Sequence, residues 1–398
     1  MASDSSGGPA RPSKPPFVPG LEGIPVAETR LSHVDGARGR LVVAGHDIEE
    51  LAANATFEQA AGLLWTGDGD PPPAGDVRTR LAAAREAAFL LLPTLGAALD
   101  AVDAMDALRA SVAHLTEPET RTPDEPDWAP GARLTGAVAV FSAAWARRRQ
   151  GFAPVPPDPE LGHAGDYLQM IGGEPASEGS VRALDAYLVT VVDHGLNASA
   201  FAARVVASTG SDLVSSVTAA IGALKGPLHG GAPGPVLDML DAVQRPERAA
   251  VWLSSELSLR RRIMGMGHRV YRVRDPRAAV LEGTIERLRS ALAVSTGASS
   301  SKISARLELA RAVEREATAL LAAGHPNRAL RANVEFYTAV LLEAIGIPRE
   351  LFSATFAVAR TAGWTAHVEE ERRKGRLIRP TSVYVGVDPF TRRESRAG

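Results

Sequence analysis

The 398-residue sequence contains no cysteine, which excludes disulfides, thiolate nucleophiles and cysteine-ligated zinc or iron–sulfur clusters. It also lacks an excess of either charge, with a formal net charge of −2. A chain without a basic surplus is poorly suited to the phosphate backbone, so we expect no nucleic-acid partner. No single apolar run approaches the roughly 20 residues that a membrane-spanning helix needs, so we expect no membrane partner either.

The remaining composition is typical of a globular protein with a large core. Hydrophobic residues make up 45% of the sequence, and its length is sufficient for two domains. Residues 1–20 are rich in Ser, Gly and Pro and contain no apolar signal core, which predicts a disordered tail without an export signal. We therefore expect a cytoplasmic protein.

The sequence pattern predicts a mainly α-helical fold with one short β-hairpin. Between Val26 and Ile48, short β-like pieces surround Asp35-Gly36, a dipeptide typical of hairpin turns. Farther on, Ala- and Leu-rich segments alternate with Gly- and Pro-rich stretches, of which the acidic stretch 117–131 is predicted to be a solvated connection. Apolar residues three and four positions apart predict helices over 182–193, 198–222, 247–263, 303–323, 334–345 and 349–373.

The last predicted helix places an arginine among aromatic side chains. Phe352, Phe356, Arg360 and Trp364 follow at intervals of four residues and so share one helix face. A buried guanidinium is costly unless an anion meets it. The anion can be an internal Asp or Glu or the carboxylate of a ligand, and the sequence leaves both open.

Three histidines occupy unusual local sequence. His194 precedes Gly195, which can end one helix, and Asn197, which can cap the next. His229 lies among glycines and prolines that prevent a helix and let the backbone approach a ligand, and His268 lies in a similar Gly-Met-Gly-His segment. One such histidine is more often structural, but three in one chain indicate a functional site.

Six ordered segments resemble the signature segments of citrate synthases. They are His194 to Thr209, the Gly-Pro-Leu-His-Gly-Gly-Ala loop around His229, His268 to Arg277, Arg331 to Tyr337, Ala359 to Trp364, and Arg379-Pro380 before Tyr384. The opening from Leu21 to Ile48 also resembles bacterial members of that family. The resemblance implies a large helical domain at 21–222 and 334–398, which includes a C-terminal arm, and a smaller helical domain inserted at 223–333. The active site would then lie in the cleft between the domains.

The resemblance also implies the chemistry. Enzymes of this family join the methyl carbon of acetyl-CoA to the ketone of oxaloacetate and release CoA, with acetyl-CoA as a co-substrate and with no metal or permanently bound cofactor. The implied base for the methyl proton is Glu335. His229 is implied to stabilise the enol oxygen, and His268 to donate to the oxaloacetate carbonyl.

Further residues are implied to bind the substrates. The two carboxylates of oxaloacetate are assigned to Arg277, Arg360 and Arg379, with His194 as a further polar contact, and Arg272 is assigned to a CoA phosphate. Arg379 is implied to reach the active site of the other subunit, so that a homodimer completes each site.

Position 335 departs from the usual pattern of the family, because most members have aspartate there. Glutamate keeps the carboxylate but adds one methylene, so Glu335 is a repositioned working base or a weakened one. Two alternatives therefore stand beside citrate synthase. One is 2-methylcitrate synthase, which uses propionyl-CoA and differs by one methyl group in the substrate. The other is a catalytically weak homologue that senses ligands.

Overall fold

The computed structural model describes residues 17–67, 69–117, 125–230, 233–295, 297–326 and 328–387. The chain divides into two compact units, one made of residues 1–28 and 377–398 and the other of residues 29–376. In the first unit, the described residues form a 3-10 turn at Pro19–Leu21 and otherwise irregular chain. Most of the predicted N-terminal tail lies outside the described residues, as do residues 118–124 of the predicted connection at 117–131.

The second unit begins with a small antiparallel sheet of order β1-β2-β3. Its strands are β1 Ser32–Asp35, β2 Arg40–Val43 and β3 His46–Asp47. Asp35 pairs with Arg40, so the first turn begins at Gly36 and the predicted hairpin is confirmed. Leu41 and Val43 are buried on one face of the sheet, because alternate side chains of a strand point to the same side.

The rest of the second unit is helical, which confirms the mainly α prediction. The helices are α1 Ile48–Asn54, α2 Phe57–Trp65, α3 Ala74–Leu91, α4 Ala104–Ala113, α5 Ala129–Arg149, α6 His163–Gly172, α7 Glu178–Val191, α8 Ala198–Ala207, α9 Leu213–Leu224, α10 Pro233–Val243, α11 Ala249–Ser258, α12 Pro276–Ser295, α13 Gly297–Gly324, α14 Val334–Ala344 and α15 Phe352–Lys374. Short 3-10 segments lie at Leu92–Asp100, Pro246–Arg248 and Arg349–Leu351.

The single helix predicted over 198–222 is wrong, because α8 and α9 are separate. Gly210 has a φ of 82°, a left-handed conformation that interrupts the helix and that glycine adopts without strain. Asp212 then caps α9 by accepting the N–H of Ser215 at 2.7 Å. Periodicity alone suggested one helix because both pieces present apolar residues at the same spacing.

The helix predicted over 247–263 is shorter than expected. It ends at Ser258, and Arg260 has a φ of 57°. A non-glycine residue in this left-handed region marks a chain reversal that helical periodicity does not signal.

Helix α15 runs through the core and carries the predicted aromatic face. It packs against α2, α5, α7, α8 and α9. Phe352, Phe356, Arg360 and Trp364 are all buried, as their shared spacing predicted. The helix therefore delivers the Arg360 guanidinium to the centre of the second unit.

Helix α3 and the 3-10 segment after it contradict the expectation that no stretch of the chain is long and apolar enough to span a membrane. Together they form a stretch, Ala74–Asp100, that is long and apolar enough to cross a membrane by length and composition. In the folded chain, however, α3 packs against α5. Arg85 of α3 is fully buried and forms an ion pair with Asp166 of α6, so one face of α3 packs inward, while 33% of the apolar 18-residue part of the stretch is buried.

We predict that Arg85→Met will destabilise the fold without a direct effect on the candidate site. Removing one partner of a buried ion pair leaves the other charge without compensation, which costs about 3–5 kcal/mol. Urea unfolding followed by circular dichroism measures this loss. Arg109→Met is the control, because Arg109 pairs with Asp106 at 3.0 Å on the surface, and we expect nearly the wild-type midpoint. Equal stability of the two variants would contradict the prediction.

Candidate active site

The connection between α7 and α8 holds His194. Asn197 caps α8 by accepting the N–H groups of Ser199 and Ala200 at 3.1 Å, which confirms the predicted cap. Gly195 has a φ of 59° but does not end α7, which already ends at Val191. The His194 side chain is buried, and its Nε2 lies 3.0 Å from the hydroxyl of Tyr271. Burial, with the charge of nearby arginines, holds the pKa of His194 well below its usual range.

A short antiparallel pairing brings together two segments that are distant in sequence. Met266 forms a β-bridge with Ala332, and the side-chain amide of Asn333 donates to the carbonyl of Gly267 at 2.9 Å. His268 follows the first of these segments. The pairing therefore fixes His268 beside the beginning of α14.

His268 is held as a neutral imidazole with a defined tautomer. Its Nδ1 accepts the backbone N–H groups of Val270 at 3.0 Å and Tyr271 at 3.2 Å, which leaves the ring proton on Nε2. The ring centroid lies 5.4 Å from that of His194. Burial, aided by the charge of Arg277, lowers the pKa of His268 to about 4. The side chain can therefore donate a hydrogen bond from Nε2 at neutral pH.

Glu335 lies in the first turn of α14. Asn333 caps this helix by accepting the Glu335 N–H at 3.0 Å. Burial raises the pKa of Glu335 to about 7, against the opposing effects of the Arg277 and Arg360 charges. A carboxyl group that titrates near neutral pH is suited to act as a general base.

Arg277 is fixed by a bidentate ion pair with Asp275. Its Nε and Nη2 donate to the two carboxylate oxygens at 3.0 and 2.8 Å. Asp275 also accepts the N–H of Val334 at 3.2 Å, which connects this pair to the beginning of α14. The geometry places the guanidinium charge where it acts on Glu335, His194 and His268.

Arg360 is buried without an ion pair among the described residues, with 1% of its surface exposed. Its Nε donates to the carbonyl of Val191 at 2.7 Å, its guanidinium lies 4.5 Å from the Phe356 ring, and its Nη2 has no partner in the described part of the chain. Burial lowers the pKa of Arg360 to about 10, so it remains charged at neutral pH. Of the two possibilities left open by the sequence, this geometry favours a ligand carboxylate.

His229 is anchored by a hydroxyl group that the sequence analysis did not single out. Its Nε2 lies 2.8 Å from the Oγ of Ser199, which also accepts the indole N–H of Trp364 at 3.1 Å. Burial, with the charge of Arg360, lowers the pKa of His229 to about 4. The only sequence signal for Ser199 was its place just after Asn197 in the His194 segment.

The two buried arginines connect most of the predicted site residues. Arg360 acts electrostatically on Glu335, His194 and His229, while Arg277 acts on Glu335, His194 and His268. Besides these two arginines, six site residues were predicted. Four of the six share this electrostatic environment: His194, His229, His268 and Glu335. They thus belong to one cluster.

Two predicted residues lie apart from these contacts. The Arg272 side chain is exposed, and its backbone N–H donates to the carbonyl of Gly36 at 2.8 Å. Arg379 belongs to the unit formed by residues 1–28 and 377–398, and its side chain is exposed. Their assigned roles stay predictions.

The cluster defines a class of site. A carboxyl group that titrates near neutral pH, neutral imidazoles and buried guanidinium groups are the equipment for acid–base catalysis on an anionic substrate. Among the described residues, no group of three or more His, Asp and Glu side chains could hold a metal ion.

Comparisons with known proteins identify the family. The profile described as "Citrate synthase, C-terminal domain" matches residues 20–381. A citrate synthase of Haloferax volcanii is 38% identical, covering 92% of this chain and 95% of the relative. The crystal structure of citrate synthase from Thermotoga maritima matches with a TM-score of 0.77 and 33% identity, covering 94% of this chain and 98% of that one.

A further solved structure is the ternary complex of citrate synthase from Thermoplasma acidophilum with carboxymethyl coenzyme A and oxaloacetate. It matches with a TM-score of 0.80 and 28% identity, covering 93% of this chain and 96% of that one. This chain belongs to the citrate synthase family, and it is an acyltransferase of that type.

Proposed function

We propose that this protein condenses acetyl-CoA with oxaloacetate and hydrolyses the resulting thioester to citrate and CoA. The observation that carries the proposal is the Glu335 carboxyl group at the beginning of α14, which is half-buried, has a pKa raised to about 7 and lies within the fields of two buried guanidinium groups. It supplies a base at neutral pH beside a binding site for a dianion. The solved structure of the Thermoplasma acidophilum relative contains a coenzyme A derivative, carboxymethyl coenzyme A, and oxaloacetate.

The first step is removal of a methyl proton of acetyl-CoA. The Glu335 carboxylate takes the proton, and the electron pair moves toward the thioester oxygen to form an enolate. His229 donates a hydrogen bond to this oxygen from Nδ1. This tautomer requires its Nε2 to accept the Ser199 hydroxyl proton, in place of the bond from that hydroxyl to Oδ1 of Asn197.

The second step forms the carbon–carbon bond. The enolate carbon attacks the ketone of oxaloacetate, and the Nε2–H of His268 donates to the ketone oxygen as negative charge develops there. Water then cleaves the thioester, which releases citrate and CoA. The donor is in place before the reaction because two backbone N–H groups already occupy Nδ1 of His268.

The carboxylates of oxaloacetate bind to guanidinium groups. Arg360 and Arg277 supply two of them, with His194 as a polar contact, and Arg379 is contributed from the second subunit of a homodimer. Arg272 binds a CoA phosphate. We also propose that the site lies in a cleft between a large domain, residues 21–222 and 334–398, and a small domain, residues 223–333. Closure of this cleft protects the reaction intermediate from water. The proposed location of the protein is cytoplasmic.

We predict that the purified protein will release CoA thiol when it is given oxaloacetate and acetyl-CoA, and will do so less efficiently with propionyl-CoA. One additional methylene changes kcat/KM by about 10–200-fold in a pocket that fits the smaller group. A thiol-reactive dye measures the release for each thioester. Higher efficiency with propionyl-CoA would identify a 2-methylcitrate synthase. Oxaloacetate binding without CoA release from either thioester would instead indicate a ligand sensor.

A further inference from the structure

A network of buried polar side chains lies behind His194, on the side of α15. We call it the Asp193 network, and its members are Ser32, Asp193, Arg204, His367, Glu370 and Glu371. Asp193 and His367 are fully buried, and Arg204 is 2% exposed. None of these residues was assigned a role in the chemistry above. Burial of so many charged groups is costly, which makes their function a question.

The hydrogen bonds of the network fix the tautomer of His367. Arg204 donates from Nε to Nδ1 of His367 at 3.0 Å, so that nitrogen carries no proton. The imidazole is therefore neutral, and its Nε2–H donates to the Asp193 carboxylate at 3.1 Å. Arg204 is itself oriented by Glu371 at 2.8 Å and by Glu370. Donation therefore runs from Arg204 of α8 through His367 to Asp193.

Asp193 in turn holds the chain on both sides of His194. The Ser32 hydroxyl donates to its second carboxylate oxygen at 2.5 Å. That same hydroxyl oxygen accepts the N–H of Gly195 at 2.6 Å. Ser32 thus connects the residue before His194 with the residue after it. Displacing the carboxylate would move the His194 backbone.

The approach of α15 to this loop leaves little room for displacement. A Cβ at Gly363 would clash with the carbonyl oxygen of Val192 and lie 3.0 Å from Oδ1 of Asp193. Only glycine allows this approach. Helix α15 and the connection that contains Val192 and Asp193 therefore cannot shift independently of each other.

Of the negatively charged groups, Asp193 also has the largest effect on the pKa of Arg360. Burial alone would raise the pKa of Asp193, but His367, Arg360 and Ser32 hold it below its usual value. Arg360 in turn is stabilised in its charged form by Asp193 without an ion pair among the described residues. The same carboxylate thus influences both His194 and Arg360, two of the side chains proposed to contact oxaloacetate.

We propose that His367, oriented by Arg204, is a positioning residue that holds Asp193 so that His194 and Arg360 are preorganised for a dicarboxylate substrate. His367 touches no substrate and acts through the carboxylate to which it donates. This inference rests on the proposed function, because it names oxaloacetate as the ligand that the arrangement serves.

Two variants of similar size separate the two hydrogen bonds of His367. His367→Asn places an amide oxygen where Nδ1 lies and keeps the bond from Arg204, but it loses the donor to Asp193. His367→Gln places an amide nitrogen where Nε2 lies and keeps the donor to Asp193, but it loses the acceptor for Arg204. Both lose one buried hydrogen bond, so we expect similar unfolding midpoints.

The kinetics should nevertheless differ. We expect His367→Asn to lower kcat/KM for oxaloacetate by about 10–100-fold, mainly through KM, because a displacement near 1 Å at a positioned group has effects of that size. We expect His367→Gln to stay within about threefold of the wild type, and the KM for acetyl-CoA to change little in either variant. Equal losses in both variants, or no loss in His367→Asn, would overturn the proposal.

The tautomer offers a second and independent measurement. In the 15N NMR spectrum of the wild-type protein, we expect His367 to show a protonated Nε2 and an unprotonated Nδ1 at neutral pH. A proton on Nδ1 would contradict the direction of donation on which the proposal depends. If the wild-type protein releases no CoA, the proposed function fails, and oxaloacetate affinity measured by calorimetry then tests the His367 variants separately.

Discussion

Glu335→Gln is expected to reduce kcat by about 10²–10⁴-fold, the usual contribution of a positioned general base. Glutamine has nearly the same shape as glutamate but cannot accept the methyl proton at neutral pH. Oxaloacetate should still bind with nearly unchanged affinity, because its carboxylates are met by Arg360 and Arg277 and not by residue 335. Steady-state CoA release and calorimetric titration with oxaloacetate measure the two quantities.

The matched control is Glu343→Gln on the same helix. Glu343 forms an ion pair with Arg306 at 2.6 Å and belongs to a different side-chain cluster, so this variant should keep wild-type kcat. If Glu335→Gln retained wild-type turnover, the base would have to lie elsewhere. If Glu335→Gln also lost oxaloacetate binding, the carboxyl group would be part of the binding site.

The pH dependence should identify the same group. The base must be ionised, so kcat/KM should fall as pH decreases through about 7, the value to which burial raises the pKa of Glu335. His229 and His268 cannot cause this limb, because burial lowers their pKa values to about 4. Bound oxaloacetate adds negative charge nearby, so the limb in kcat should lie at higher pH than the limb in kcat/KM. Profiles measured at constant ionic strength test both statements.

Arg360→Met is expected to weaken oxaloacetate binding strongly while leaving the fold intact. Losing one charged partner of a desolvated ion pair costs 2–5 kcal/mol of binding free energy, which corresponds to about 30-fold or more in affinity. In the free protein Arg360 makes no ion pair among the described residues, so no carboxylate loses a direct partner when it is replaced. We therefore expect a large rise in the dissociation constant and a small change in the free energy of unfolding.

Arg85→Met is the natural comparison, because Arg85 is equally buried but already paired within the chain. That variant should lose stability and keep oxaloacetate affinity, whereas Arg360→Met should do the reverse. Calorimetry and urea unfolding on both variants complete the test. If Arg360→Met unfolded easily but bound oxaloacetate as the wild type does, Arg360 would be a structural residue.

Local sequence was sufficient for features whose causes are local. The hairpin at Asp35 and the cap at Asn197 each depend on a few neighbouring residues, and each was predicted. The boundary between α8 and α9 was missed, although residues 208–212 contain no apolar side chain and include Gly210 and the capping residue Asp212.

By itself the sequence determined the helical class, the hairpin and the burial of Arg360, since spacing along one helix face and turn chemistry are properties of short segments. Only the tertiary structure decided that His268 lies beside the beginning of α14, through the bridge of Met266 to Ala332. It also decided that His367 donates to Asp193 across 174 positions of the chain. Such contacts depend on how helices pack, and packing joins residues whose separation no local pattern encodes.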